Sequence, residues 1–129
     1  MTSGKHQNSE ARGYRDLVVW QKGLKLVKEL YLLTKKVPPD EKFGLVSQMR
    51  RAAVSVPSNI AEGQARHTTG EFVQFISHAE GSVAELDTQL TLCQDLKLLN
   101  PKESATAANL LEELRRMLNS LRRKLSSLK

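Results

Sequence analysis

The last quarter of the chain repeats leucine at the spacing with which a helix buries one side. From residue 107 onward, apolar residues recur at steps of three and four: Ala107, Leu111, Leu114, Leu118, Leu121, Leu125 and Leu128. Because an α-helix turns once in about 3.6 residues, these positions form one stripe. Just before this run, Asn100, Pro101 and Glu103 supply an N-cap, a first-turn proline and the acidic partner of a capping box. The sequence therefore predicts a long helix that starts after Asn100.

A second capping signal predicts where the preceding helix begins. Thr68 is followed three residues later by Glu71, the spacing at which the two side chains satisfy the first N–H groups of a helix. Residues 63–69 are therefore predicted to form a turn. The apolar stripe of the helix that follows is Phe72, Ile76, Ala79, Val83, Leu86, Leu90 and Cys93.

Two apolar stripes lie side by side on the first predicted helix, which ends at Pro38 and Pro39 because proline cannot continue a helix. A bundle of one chain buries one such stripe well, so the other predicts contact with a second subunit in a closed homo-oligomer. The first stripe is Leu17, Trp20, Leu24, Val27, Tyr31 and Thr34, and the second is Val19, Leu26, Leu30, Leu33 and Val37.

The segment AVSVPSNIAEGQAR, residues 53–66, places a proline inside a helical pattern. The pattern keeps its phase across Pro57, which favours one kinked helix that starts near residues 42–45. The alternative is a break at Pro57, with Asn59 as the N-cap of a new helix and Glu62 as the partner in its capping box. The stripe on which the first interpretation depends is Leu45, Met49, Ala53, Val56 and Ile60.

Four amphipathic helices with short connections predict an all-α fold, an up-down-up-down antiparallel four-helix bundle. A chain of 129 residues is the size of one such domain. We assign residues 14–129 to the bundle and residues 1–13, which are mostly polar and contain no apolar stretch, to a disordered N-terminal tail.

Polar residues on the second helix face the third helix in this bundle. They recur at steps of four, three and four residues, and the turn at residues 66–69 sets them opposite the middle of the third helix. We predict a hydrogen-bonded network that fixes the register of the two helices, with an ion pair between Arg51 and Glu85. Its predicted members are Arg51, Ser55, Ser58, Asn59, Glu62, Glu80 and Glu85.

The sequence carries no pattern of catalytic or metal-ligating residues. No glutamate is followed three positions later by histidine, as di-iron bundles require, and no glycine-rich phosphate loop is present. His67 and His78 are isolated, and Cys93 falls on an apolar stripe. We therefore expect no enzymatic activity, no metal and no cofactor. A single cysteine cannot form an internal disulfide, which favours the cytoplasm.

Charge is distributed unevenly along the chain. The net charge is +6, yet the segment from Glu71 to Asp95 has five acidic residues and neither lysine nor arginine. From Lys97 to the end, eight basic residues stand against three acidic ones. This distribution favours binding of nucleic-acid phosphates, and a scaffold that binds only proteins is the alternative. The predicted phosphate-binding residues are Arg115, Arg122, Arg123 and Lys124, with Arg12 and Arg15 as helpers.

The aromatic residues bear on how nucleic acid would be bound. Trp20, Tyr31, Phe72 and Phe75 all lie on or beside apolar stripes. Few rings are therefore left to stack on bases, and we expect contacts to phosphates, which do not specify sequence. The sequence does not distinguish RNA from DNA as the ligand.

Three segments, DLVVWQKG, SQMRRAAVSVPSNIAEG and FISHAEGSVAELDTQL, resemble the proteins encoded in intervening sequences of bacterial 23S ribosomal RNA genes. The resemblance covers about residues 14–120. It implies a cytoplasmic four-helix bundle that assembles into a ring of five subunits and carries no catalytic residues. The family includes accessory proteins of retroelement reverse transcriptases that bind nucleic acid, so a reverse transcriptase is one protein partner that the resemblance implies.

Overall fold

The computed structural model describes residues 13–128, which form four long helices and no strand within that range. A 3-10 turn, Gly13–Asp16, precedes α1, Val18–Thr34. A second 3-10 turn, Pro39–Glu41, and a π-helical turn, Lys42–Val46, lead into α2, Ser47–Gln64. Helices α3, Thr69–Asp95, and α4, Pro101–Ser126, complete the chain. Of the predicted tail, residues 1–12 lie outside the described residues, and Gly13 begins the first 3-10 turn.

Each helix packs against two neighbours, in the cyclic order α1, α2, α3, α4 and back to α1. Pairs of contacts show that neighbours run antiparallel, because residue numbers rise along one helix as they fall along the other. Between α1 and α2, Gly23 meets Pro57 and Thr34 accepts from Arg50. Between α2 and α3, Gly63 meets Phe72 and Ser55 bonds to Ser82. This is the antiparallel arrangement that the periodicity predicts. No helix within residues 13–128 is long and apolar enough to cross a membrane.

The two apolar stripes of α1 have different environments. The stripe that starts at Val19 is buried over its whole length, including Leu26 and Leu30. In the other stripe, Trp20 and Val27 are half-buried at the edge of the core, and Tyr31 is 39% exposed. The core of the single chain therefore uses one stripe fully and the other only in part.

Helix α2 runs without a break through Pro57, as the phase of its stripe favours. Pro57 is buried against α1 at Gly23, where an added Cβ atom would lie 3.1 Å from the Cβ of Pro57. Asn59 is not an N-cap, so the alternative of a break is wrong. Its side-chain amide instead donates to the backbone oxygen of Ser55 at 2.8 Å, inside the helix.

Both predicted N-caps are confirmed. Asn100 Oδ1 accepts from the backbone N–H of Glu103 at 2.7 Å, and Glu103 Oε1 accepts from the N–H of Asn100 at 3.0 Å. Thr68 Oγ1 accepts from the N–H of Glu71 at 3.1 Å, but the Glu71 carboxylate accepts from the Thr68 hydroxyl at 3.2 Å, so Thr68 caps α3 without the reciprocal bond of the predicted capping box. The side chains of Asn100, Glu103 and Thr68 each satisfy a backbone donor that the first turn of a helix leaves free.

The antiparallel order gives the bundle two distinct ends. At the closed end, the α1–α2 connection, residues 35–41, and the α3–α4 connection, residues 96–100, bury Val37 and Leu99. At the other end lie the start of α1, the α2–α3 turn and the end of α4. We call it the arginine end, after the residues that these three segments contribute: Arg15, Arg66, Arg122 and Arg123.

Candidate nucleic-acid interface

On α4, the positive charge of Arg115 is paired with a carboxylate of the same helix. Its guanidinium donates to both oxygens of Glu112, at 2.9 and 2.6 Å, and Arg116 donates to the same carboxylate at 3.2 Å. The hydrogen bond from Arg115, together with the charges of both arginines, lowers the pKa of Glu112. Arg115 is thus exposed, but a neighbouring acid offsets its charge.

Arg122 joins two helices. Its Nε donates to Glu80 Oε1 of α3 at 2.6 Å, and its Nη2 donates to Asn119 Oδ1 at 2.8 Å. Arg122 is only partly exposed. The structure therefore makes it a link between α3 and α4, whereas the sequence predicted a side chain free to bind phosphate.

Arg123 and Lys124 are exposed, and neither side chain has a hydrogen bond or ion pair within the described residues. They lie in the last turns of α4, where cations interact favourably with the helix dipole. These two are the predicted phosphate-binding residues of α4 whose charge is not paired. Arg12 lies outside the described residues.

At the start of α1, Arg15 lies against two aromatic rings. Its guanidinium carbon is 5.9 Å from the ring centre of Tyr14 and 5.7 Å from that of Trp20, and these two ring centres are 5.2 Å apart. Gln21 Nε2 donates to the backbone oxygen of Arg15 at 2.8 Å, which ties this turn to α1. The sequence indicated the Arg15 charge but not its position over the rings.

A comparable pair lies at the α2–α3 turn and was missed by the sequence analysis. The guanidinium carbon of Arg66 is 4.7 Å from the ring centre of Phe75, and the ring of His78 meets Phe75 edge-on at 5.8 Å. Arg66 is exposed and Phe75 half-buried. The predicted topology could have indicated Arg66. The α2–α3 turn lies at the same end of the bundle as the start of α1, so an arginine in this turn lies at the same end as Arg15.

The predicted polar network is present only in part. Ser55 and Ser82 share a short hydrogen bond between α2 and α3, and Asn59 donates to the backbone of Ser55. Glu80 is not a member, because it points to α4 and pairs with Arg122. The serine pair thus links residues 53–66 of α2 and its following turn to α3, whereas Asn59 bonds within α2.

The predicted Arg51–Glu85 ion pair is wrong. Arg51 is exposed with no side-chain partner among the described residues, and Glu85 accepts from Gln89 Nε2 at 3.2 Å. The reason is the rotation of α2: Ala52, Ala53 and Val56 face the core, and at about 100° per residue Arg51 points away from it.

Ser58 and Glu62 are also exposed and, like Arg51, line an open groove along α2 rather than a buried network. The groove has a volume of about 710 Å³. Its apolar wall includes Tyr31 and Val54, which are 39% and 41% exposed. This part of α2 is therefore exposed on the surface, and it lies beside the half-exposed stripe of α1.

No group of three or more histidine, cysteine or acidic side chains within residues 13–128 is placed to hold a metal ion. His67 and His78 are exposed. Cys93 is fully buried and donates to Met49 Sδ at 3.6 Å, and burial, with a smaller contribution from the charge of Glu41, raises the pKa of its thiol. A thiol held neutral in the core is a poor nucleophile.

Comparisons with known proteins bear on the fold and the family. A crystal structure of a protein with unknown function from the S23 ribosomal protein family of Bacteroides thetaiotaomicron is similar, with a TM-score of 0.75 and 22% sequence identity. The match covers 81% of this chain and 97% of that one, and it supports the fold alone. No curated protein matches this sequence. The family model described as 23S rRNA-intervening sequence protein matches residues 15–120, and the chain therefore belongs to the family of 23S rRNA intervening sequence proteins.

Proposed function

We propose that this chain is a non-enzymatic protein that binds the phosphate backbone of nucleic acid without reading its sequence. The observation that carries the proposal is the set of cations at the arginine end, which come from three separate segments and have no carboxylate partner among the described residues. A phosphate chain is the ligand that unpaired, clustered cations favour, because binding releases its counterions. The set consists of Arg15, Arg66, Arg123 and Lys124.

We further propose that the chain acts as a closed homo-oligomer, for which the family resemblance implies a ring of five. The half-exposed stripe of α1 and the apolar wall of the α2 groove, with Tyr31 and Val54, support an interface between copies. Each of the five chains would carry a net charge of +6, so a ring repeats the same basic end around its axis. Light scattering tests the assembly, and a species of 14.5 kDa would contradict it.

A binding assay with matched charge reversals tests the phosphate-binding proposal. The first variant combines Arg123→Glu and Lys124→Glu at the arginine end, and the second combines Lys35→Glu and Lys36→Glu at the closed end. The two residues of each pair are exposed, adjacent in sequence and without an ion pair among residues 13–128. Because both variants change the net charge equally, only the position of the charge differs between them.

We expect the wild-type protein to bind both mixed RNA and duplex DNA at about 50 mM salt. With about six phosphate contacts, affinity should fall about 10³-fold between 50 and 200 mM salt. The arginine-end variant should lose most of this affinity, and the closed-end variant should keep most of it. A correctly assembled wild-type protein that binds neither ligand would refute the proposal.

A scaffold that binds only proteins is the second candidate, and the α2 groove is the observation that favours it. Arg50 and Arg51 flank its apolar wall, and the guanidinium carbon of Arg50 lies 4.4 Å from the ring centre of Tyr31. A reverse transcriptase is the partner that the family resemblance implies. Loss of protein binding after Val54→Glu, with nucleic-acid binding absent in the wild type, would favour this second function.

A further inference from the structure

Two exposed arginines at the arginine end are held over aromatic rings instead of being paired with acids. Arg15 lies over Tyr14 and Trp20, and Arg66 lies over Phe75. Neither guanidinium has a carboxylate partner within residues 13–128. Other arginines of the bundle do: Arg115 and Arg116 are paired with Glu112, and Arg122 with Glu80.

A guanidinium that rests on a ring differs from a free cation in what it can bind. Its charge still attracts phosphate, and its planar group offers a surface on which a nucleobase can stack. The ring beneath it limits its rotation, so less side-chain entropy is lost when a base stacks. A lysine at the same position keeps the positive charge but has no planar group on which a base can stack.

The two stacks lie on different segments of the same end, at the start of α1 and at the α2–α3 turn. The 3.2 Å approach between a Cβ atom built at Gly13 and Gln64 Oε1 shows that these segments are in contact. The unpaired cations Arg123 and Lys124 at the end of α4 complete this surface. It thus combines stacking groups with free positive charges, the combination that binds single strands.

We propose that Arg15 on Tyr14 and Trp20, and Arg66 on Phe75, are stacking platforms that make this protein prefer single-stranded nucleic acid over duplex. The inference rests on the proposed phosphate binding and deepens it. In a duplex the base faces are already stacked on one another, so only a single strand can offer them to the platforms. The preference is independent of sequence, because every base has an aromatic face.

The test uses three labelled probes with the full-length protein. One is an oligothymidylate of about 20 nucleotides, one is a strand of equal length whose sites are all abasic, and one is a duplex of equal length. The abasic strand has the same phosphates as the oligothymidylate and no bases. The variant is Arg15→Lys with Arg66→Lys. The control is Arg116→Lys, an exposed arginine outside the proposed phosphate-binding set, which donates to Glu112 and lies over no aromatic ring among the described residues.

We expect the wild-type protein to bind oligothymidylate about tenfold more tightly than the abasic strand or the duplex. The double lysine variant, which keeps both charges but has no guanidinium planes at these positions, should bind the three probes with similar affinity, and the control should match the wild type. Trp20 is the one tryptophan of the chain, so its emission should change with oligothymidylate and not with the abasic strand.

The outcomes separate the two proposals. A wild-type protein that binds all three probes equally, or a double lysine variant that keeps the full preference, would overturn the stacking inference and leave phosphate binding in place. A wild-type protein that binds none of the probes would overturn both.

Discussion

The two ends of the bundle are built from different kinds of residue. At the closed end, each connection places an apolar side chain in the core, Val37 in one and Leu99 in the other, and a capping box starts α4. At the arginine end, Thr68 caps α3, Leu17 precedes α1 without a side-chain cap, and arginines lie over rings at the surface. Each end thus has one helix start with a side-chain cap and one without, and the ends differ in their surfaces: the connections of the closed end bury apolar side chains, whereas the arginine end keeps charged and aromatic groups accessible. The difference indicates which end is available for a ligand.

The largest effect should come from Gly63, where α2 and α3 meet close to the arginine end. A Cβ atom there would lie 2.6 Å from the Cβ of Phe75 and 2.9 Å from Cδ1 of Phe72. Since the Cβ of Phe75 cannot move without its backbone, Gly63→Ala should push the helices apart and lower the free energy of unfolding by about 1–3 kcal/mol in urea denaturation.

Gly81→Ala is the matched control for this change, because nothing lies within 4 Å of its added Cβ on the exposed side of α3. It should raise the free energy of unfolding by about 0.5–1 kcal/mol through helix propensity. Equal stability of the Gly63 variant and the wild type would mean that the arginine end does not depend on this close approach.

An intermediate effect is expected at the closed end, where Asn100 caps α4. Asn100→Ala removes the acceptor of the Glu103 N–H and should cost about 1 kcal/mol in thermal or urea unfolding. Asn109→Ala, on the exposed side of the same helix, is the control and should not destabilise. If the two variants unfold alike, the Asn100 cap does not stabilise the closed end.

The smallest effect should be the coupling between Arg122 and Glu80 at the arginine end. The pair is partly exposed, so a double-mutant cycle of Arg122→Gln and Glu80→Gln should give a coupling of about 0.5 kcal/mol that weakens with salt. Arg123→Gln provides the comparison, since that side chain has no partner in the part of the chain that the structure describes. Zero coupling at low salt would assign Arg122 to the phosphate-binding cations after all.

Most of the helical architecture could be predicted because it depends on neighbours in sequence. The stripe of α4, the Asn100–Glu103 box and the Thr68 cap are all local patterns, and the structure confirms them. The π-helical turn at Lys42–Val46 was not predicted. It has no side-chain cap or proline of its own to mark it.

The candidate site was harder to predict because its contacts join segments that are distant in sequence. Arg122 was taken for a free cation because its partner, Glu80, lies on another helix. Arg51 was assigned to a buried pair, since the sequence does not give the rotation of α2 about its axis. Arg66 was missed because its ring partner, Phe75, lies beyond a turn. To predict which side chains pair across helices, the rotation and tilt of each helix must be known, and the periodicity of the sequence indicates only which face of a helix is buried.

The proline at the centre of α2 has a consequence for how the protein opens in solution. Pro57 has no amide hydrogen, so the backbone oxygen of Ala53 lacks its usual helical donor. The hydrogen-bond ladder of α2 is therefore interrupted between its two halves. Amide hydrogens of residues 58–64 should exchange with solvent in a separate, lower-energy opening than those of residues 47–53. The turn that carries Arg66 would then loosen and close again while the rest of the bundle stays folded.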